Sequence, residues 1–192
     1  MNLRLAMQRR VTGLGVALRE RPWNLRSLVP HNSRTGVLNR RGFLRHAEQA
    51  WRQAIRQNTR LLLFSLDVDG FKEINDIFGP WAGDTALATL SDALRRCFRP
   101  SDLLGRVGDN AFAILCPASP HDAPGIILRI QQKLAEFERD RRLPYEIALS
   151  IGYAACDPVL ATPSIPDLLV RADAQRRPAN SRVNEASPVL SC

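Results

Sequence analysis

The chain has 192 residues, 45% of them apolar, which is enough for one domain with a sizeable core and too few for two of ordinary size. The formal charge is +8, but all of the 27 basic residues except Lys72 and Lys133 are arginines scattered along the whole length. That spread argues for a solvated, arginine-biased surface and against a nucleic-acid-binding stripe. Cys97, Cys116, Cys156 and Cys192 lie far apart without CxxC spacing, so reduced thiols in a cytoplasmic protein are expected rather than a disulfide framework.

Arg9 and Arg10 precede the apolar run Val11 to Leu18, and Arg19, Glu20 and Arg21 follow it without a small-residue cleavage site. The run is too short to span a bilayer and reads as an amphipathic helix whose partner is this domain, a second copy or another protein. The stretch from Pro22 to Arg34, with Pro22 and Pro30, reads as a linker. Residues 1–31 are therefore expected to form a helix and linker, 32–176 the folded domain, and 177–192 an irregular polar tail interrupted by Pro178 and Pro188.

From Asn39 the apolar positions Phe43, Leu44, Ala47, Trp51, Ala54 and Ile55 recur at helical spacing up to Asn58, predicting an amphipathic helix. A buried strand follows at Leu61–Leu66. A helix carrying Phe71, Ile74 and Phe78 breaks at Gly79-Pro80, and another is expected to start at Asp84 with Leu87, Leu90 and Leu94 on one face. Between Leu103 and Cys116 two apolar runs flank Gly108, Asp109 and Asn110, which predicts a tight hairpin turn. A helix from Pro124 to about Phe137, a strand from Tyr145 to Tyr153 and a last helix opened by Pro166-Asp167 complete the pattern. This order predicts an α+β fold with a mostly antiparallel central sheet covered by helices.

The strand Leu61–Leu66 runs directly into Asp67-Val68-Asp69-Gly70-Phe71-Lys72, placing two carboxylates where a buried strand turns outward. Carboxylates so placed suit magnesium, which takes one or two of them and completes its shell with water and phosphate oxygens. They equally suit a helix cap, accepting backbone N–H groups.

Several stretches in matching order and spacing resemble the GGDEF domain, the family of diguanylate cyclases. Asn32-Ser-Arg-Thr-Gly-Val-Leu-Asn-Arg-Arg-Gly-Phe43 is similar to its opening DxLTGLxNRRxF, and Asp67 to Asp76 to its DxDxFKxxND. Gly79-Pro-Trp-Ala-Gly-Asp84 resembles GHxxGD, while Ser150 to Ala154 and Arg171-Ala-Asp173 resemble a later strand and helix. The resemblance covers roughly Asn32 to Asp173. It implies a nucleotidyl-cyclase palm-like fold with a ferredoxin-like core, in which two GTP molecules meet across a homodimer. Each is held with magnesium, and each 3′-hydroxyl attacks the other's α-phosphate. By the same resemblance Asp67 would bind metal with the Val68 carbonyl, Phe71 and Lys72 would line the phosphate end, and Asn75 and Asp84 would hydrogen-bond guanine. Without it, Asn75 is a polar helix-face residue and Asp84 an N-cap.

The signature loop departs from that pattern. It reads Gly108-Asp109-Asn110-Ala111-Phe112, so the acidic metal ligand of active members is Asn110 and the following Glu is Ala111. Asparagine offers only a neutral carbonyl oxygen, leaving the metal and triphosphate short of a negative ligand. Asp109 lies one residue early, an offset that reverses the face of a side chain in an extended strand, though less strictly in a turn, and it replaces a glycine whose missing side chain admits the phosphates. An ordinary hairpin turn without any ligand is the competing reading of this loop. Pro80 stands where the family has His, and Gln175-Arg176-Arg177-Pro178-Ala179-Asn180 replaces its ALYxAK continuation. Arg176, Arg177 and Arg182 are the candidates to compensate, with no position assignable from sequence.

Arg99-Pro-Ser-Asp102 matches RxxD at the spacing of the family's inhibitory site, where cyclic di-GMP binds. A guanidinium fork suits phosphate or the guanine edge, and a carboxylate suits guanine N–H groups. A surface Arg–Asp pair is the bland reading of the same residues. The leading expectation is a catalytically degenerate domain in cyclic di-GMP signalling that binds this nucleotide through Arg99 and Asp102 or docks on a protein partner. No catalytic residue is then expected, and the GTP and metal positions are vestigial, with magnesium present only if GTP binds. A weak diguanylate cyclase using Asp67 and water-completed metal, and a pure interaction module without nucleotide, are the alternatives.

Overall fold

Asn32, residues 35–158 and residues 164–178 are described by a computed structural model of the chain, and the expected N-terminal amphipathic helix and the tail past residue 178 lie outside them. In chain order the elements are β1 (Leu38–Asn39), α1 (Arg40–Gln57), β2 (Leu61–Val68), α2 (Phe71–Phe78), α3 (Pro80–Cys97), β3 (Leu103–Arg106), β4 (Ala111–Pro117), α4 (Ala123–Arg141), β5 (Leu149–Cys156), α5 (Ile165–Ala174) and β6 (Arg177–Pro178). A 3-10 turn at Pro120–Asp122 leads into α4.

The strands form one sheet in the order β1-β3-β4-β2-β5-β6. Every pairing is antiparallel except the short parallel contact of β1 with β3. The registers align Asn39, Arg106, Phe112, Leu66, Ile151 and Arg177 in a single row across the sheet. This is the expected α+β fold with a mostly antiparallel sheet.

Alternation along β2 divides the core into two layers. Leu62, Phe64, Leu66 and Val68 share one buried cluster with residues of α3 and α4 such as Leu87, Leu90 and Ile130. Leu61 and Leu63 point the other way, into a cluster with Phe43 and Trp51 of α1 and Leu168 and Leu169 of α5. Because successive strand residues face opposite sides, Ser65 and Asp67 lie on the α1 and α5 side.

Local chemistry sets the element ends. Asn39 caps α1, its side chain accepting from the Gly42 N–H at 2.8 Å, and Asn58 closes the helix in the left-handed conformation (φ 50°), a region asparagine tolerates. The α3 helix begins at Pro80, one turn before the expected Asp84, because proline's fixed φ suits the first helical position and its missing N–H costs nothing there. The β5 strand runs from Leu149 to Cys156 rather than Tyr145 to Tyr153. Its partner β2 turns away after Val68, through Gly70 at φ 63°, so Tyr145–Ile147 have no strand to pair with, while Leu61 extends the ladder to Cys156. Tyr145 instead donates its hydroxyl to the Ala82 carbonyl at 2.7 Å.

Cys97, Cys116 and Cys156 are free and buried. Burial pushes the Cys116 and Cys156 thiols up to about 12, so neither forms a thiolate at neutral pH. Among the described residues, no helix is long and apolar enough to cross a membrane.

Candidate functional site

Both carboxylate-bearing segments singled out in the sequence converge at one end of the sheet. Asp67, near the end of β2, pairs in register with Ala111 of β4 and Ser150 of β5. The loop joining β3 to β4 occupies Val107–Asn110 and is wider than a two-residue hairpin turn. Its Val107 and Gly108 N–H groups donate to the Ala111 carbonyl at 2.9 and 3.2 Å. Two arginines hold its outer side: Arg40 donates to the Val107 carbonyl at 3.2 Å, and Arg106 to the carbonyls of Gly108 and Asp109. Asp109 is exposed at the tip and Phe112 is fully buried in the core, so the ends of the signature do opposite jobs.

Asn110 has the most consequential contacts in the loop. Its backbone carbonyl accepts from the Val68 N–H at 3.2 Å, and its side-chain amide donates to the Val68 carbonyl at 3.0 Å. Both backbone polar groups of Val68 are therefore satisfied by one residue. A carboxylate in this place has no N–H to offer, and a carbonyl and a carboxylate side by side repel unless a cation lies between them. A carboxamide removes that need.

Asp67 is also engaged. The Arg176 guanidinium lies 3.4 Å from its carboxylate, with both side chains less than one-third exposed, and Arg176 also reaches Asp173 at 3.9 Å. The Ser65 hydroxyl donates to Asp173. Arg176 arrives there because the chain leaving α5 lies hard against Gly152 of β5: a β-carbon at Gly152 would stand 2.0 Å from the Ala172 carbonyl oxygen and 2.7 Å from the Arg176 nitrogen. Asp69 donates its N–H to the Ala148 carbonyl at 2.9 Å.

These residues do not fit a pair of divalent cations. One of the implied ligands, Asp67, faces a guanidinium, the second, the Val68 carbonyl, accepts an amide N–H, and the third position carries no charge. Among the described residues, no group of three His, Cys, Asp or Glu side chains is placed to hold a metal ion.

The residues proposed for the base lie on the other layer. Asn75 of α2 donates to the Phe71 carbonyl at 2.9 Å and packs so closely on α3 that a β-carbon at Gly83 would be 2.2 Å from its side-chain oxygen. Gly83 is the α3 residue that meets Asn75, and Asp84 follows it in the chain. Phe71 packs on the core, while Lys72 is exposed on α2.

Arg99 and Asp102 lie before β3, at the far end of that strand from the signature loop, about 13 Å along a four-residue strand. They form a closed turn: the Asp102 carboxylate accepts the Arg99 N–H at 2.8 Å, and the Asp102 N–H donates to the Arg99 carbonyl at 2.9 Å. The turn borders a cleft of about 530 Å³ lined by the polar side chains of His46, Arg95, Arg99 and Asp102 and by the apolar ones of Phe98 and Leu104. This mixture suits a flat base carrying phosphate. Sequence reasoning had not found His46 or Arg95 here, since only the fold carries α1 and α3 to this corner.

The comparisons with known proteins agree on one family. The family model described as "Diguanylate cyclase, GGDEF domain" matches residues 30–184. The bifunctional diguanylate cyclase/cyclic di-GMP phosphodiesterase MucR of Pseudomonas aeruginosa is 30% identical over 149 residues, 77% of this chain but 22% of that protein. The chain thus spans about a fifth of that relative's length. A microbial GGDEF domain solved for its interaction with cyclic di-GMP superposes with a TM-score of 0.63 at 32% identity, covering 76% of this chain and 88% of the other. The diguanylate cyclase SiaD of Pseudomonas aeruginosa, solved with its activator SiaC, gives 0.64 at 28% identity, covering 76% and 55%.

Proposed function

The chain belongs to the GGDEF domain family of diguanylate cyclases, and from that premise we propose that it is a catalytically degenerate member acting in cyclic di-GMP signalling. Its role in this reading is to bind cyclic di-GMP at the Arg99–Asp102 turn. The single observation behind the loss of catalysis is Asn110, whose amide satisfies the Val68 carbonyl where an acidic residue would call for metal. Without that negative ligand, the charge of two cations and a triphosphate is not balanced in reactive geometry. Ala111, opposite Asp67, adds no carboxylate. Phe71, Lys72, Asn75 and Asp84 are then vestiges of a GTP site.

Support for the binding role comes from the cleft beside the turn. Arg99 offers a fork-shaped donor for phosphate oxygens, Arg95, which donates to the Thr35 carbonyl at 2.7 Å and lies 3.6 Å from Asp92, adds positive charge beside it, and Asp102 is already oriented by its own turn. A protein partner is the second reading, favoured by the solved pairing of SiaD with an activator protein.

Two measurements test this. Incubation with GTP and magnesium, followed by nucleotide separation, is expected to yield no cyclic di-GMP at cyclase rates; steady accumulation would refute the degenerate reading. Calorimetric titration with cyclic di-GMP is expected to saturate, and Arg99→Ala to weaken it about 100-fold through the lost charge-assisted hydrogen bonds. No heat from the wild type would transfer the role to a protein partner.

A further inference from the structure

We infer that Arg176 is the resident cation of the decayed centre: its guanidinium takes at Asp67 the charge role of a divalent ion, making the centre metal-independent and fastening the chain that leaves α5. The inference rests on the degenerate reading above and says what replaced the metal.

Three observations carry it. The guanidinium lies 3.4 Å from Asp67 and 3.9 Å from Asp173, between the carboxylates of β2 and α5. Asp173 is also bound by Ser65, the residue two before Asp67 on the same strand face, so strand, helix and arginine form one polar cluster. Gly152, directly across from Ser65 in the ladder, has no β-carbon to hold off the turn after α5, which comes within 2.0 and 2.7 Å of where that carbon would stand. A cation so tethered is held near Asp67 at a fixed effective concentration. It therefore competes with magnesium whatever the protein concentration, and repulsion between guanidinium and metal adds to the competition.

The test uses the full chain, with Arg176→Gln, Arg176→Lys and Asp67→Asn variants. Thermal unfolding is followed in EDTA and in millimolar magnesium chloride, and Mn²⁺ binding is followed by the loss of its free paramagnetic signal. The wild type is expected to have the same midpoint in both solutions and no Mn²⁺ binding that depends on Asp67. Arg176→Gln is expected to melt lower in EDTA, to regain part of the loss with magnesium, and to bind Mn²⁺ at least about tenfold more tightly than the wild type. Arg176→Lys, which keeps the charge, is expected to stay insensitive to magnesium.

Saturable Mn²⁺ binding by the wild type that Asp67→Asn abolishes would overturn the inference, as would an Arg176→Gln variant with no gain in metal response. Should Arg176→Gln fail to fold, the comparison of wild type with Asp67→Asn decides alone. Wild-type metal binding without turnover of GTP would sink this inference and leave the degenerate reading standing, whereas cyclic di-GMP production would sink the reading itself.

Discussion

Phe112→Ala is expected to lower unfolding free energy by about 4 kcal/mol, while Asp109→Ala, three residues earlier in the same motif, should change it by less than about 0.5 kcal/mol. Phe112 is fully buried, in a cluster with Leu66, Ile114 and Val68, so truncation removes an aromatic ring and leaves a cavity the surrounding strands cannot close. Asp109 is exposed and contributes its backbone carbonyl to Arg106, which alanine retains. Urea unfolding of both variants, read by far-UV circular dichroism, gives the difference directly. Similar costs at the two positions would show that the loop tip is packed rather than solvated.

Gly152→Ala is the second large effect: about 3 kcal/mol of destabilisation, at the upper end of overpacking costs, with weakened attachment of α5. The added β-carbon would meet the Ala172 carbonyl oxygen at 2.0 Å, the Arg176 nitrogen at 2.7 Å and the Gln175 carbonyl carbon at 2.9 Å. All three are backbone atoms, so no side-chain rotation relieves the clash and the helix end itself must move away. Hydrogen exchange should locate the damage, with amides at the C-terminal end of α5 losing protection before those of β2 and β4. Uniform loss across the sheet would contradict the assignment of the strain to this crossing.

The sequence makes the large elements legible because their patterns are long. The short apolar run of β2, interrupted by Ser65 and ended by Asp67, has strand length, and the spacing from Phe43 to Ile55 has the helical period. Boundaries depend on partners: Tyr145 looks like a strand residue and Tyr153 like the strand's end, yet the ladder of β5 starts and stops where β2 does. The two-residue strands β1 and β6 carry no period at all and exist only through their pairing.

The candidate site divides in the same way. Loss of the acidic residue at 110 is visible in the letters, but the reciprocal bonding of Asn110 with Val68 joins residues 42 positions apart and follows from the register of β2 with β4. Arg176 was one of three arginines with equal claim in the sequence. Only the close crossing at Gly152 singles it out, and a glycine in a strand does not announce which backbone it admits.

The row that carries Asn39 at one edge of the sheet and Arg177 at the other has a consequence for protein engineering. Five inter-strand spacings separate these residues, about 24 Å before twist, so a circular permutant joining the ends near residues 38 and 178 needs a bridge of at least about seven extended residues. Modules fused before residue 38 and after residue 178 would accordingly flank the sheet on opposite sides, and a pair of fluorophores attached there would report the sheet's width rather than a shared hinge.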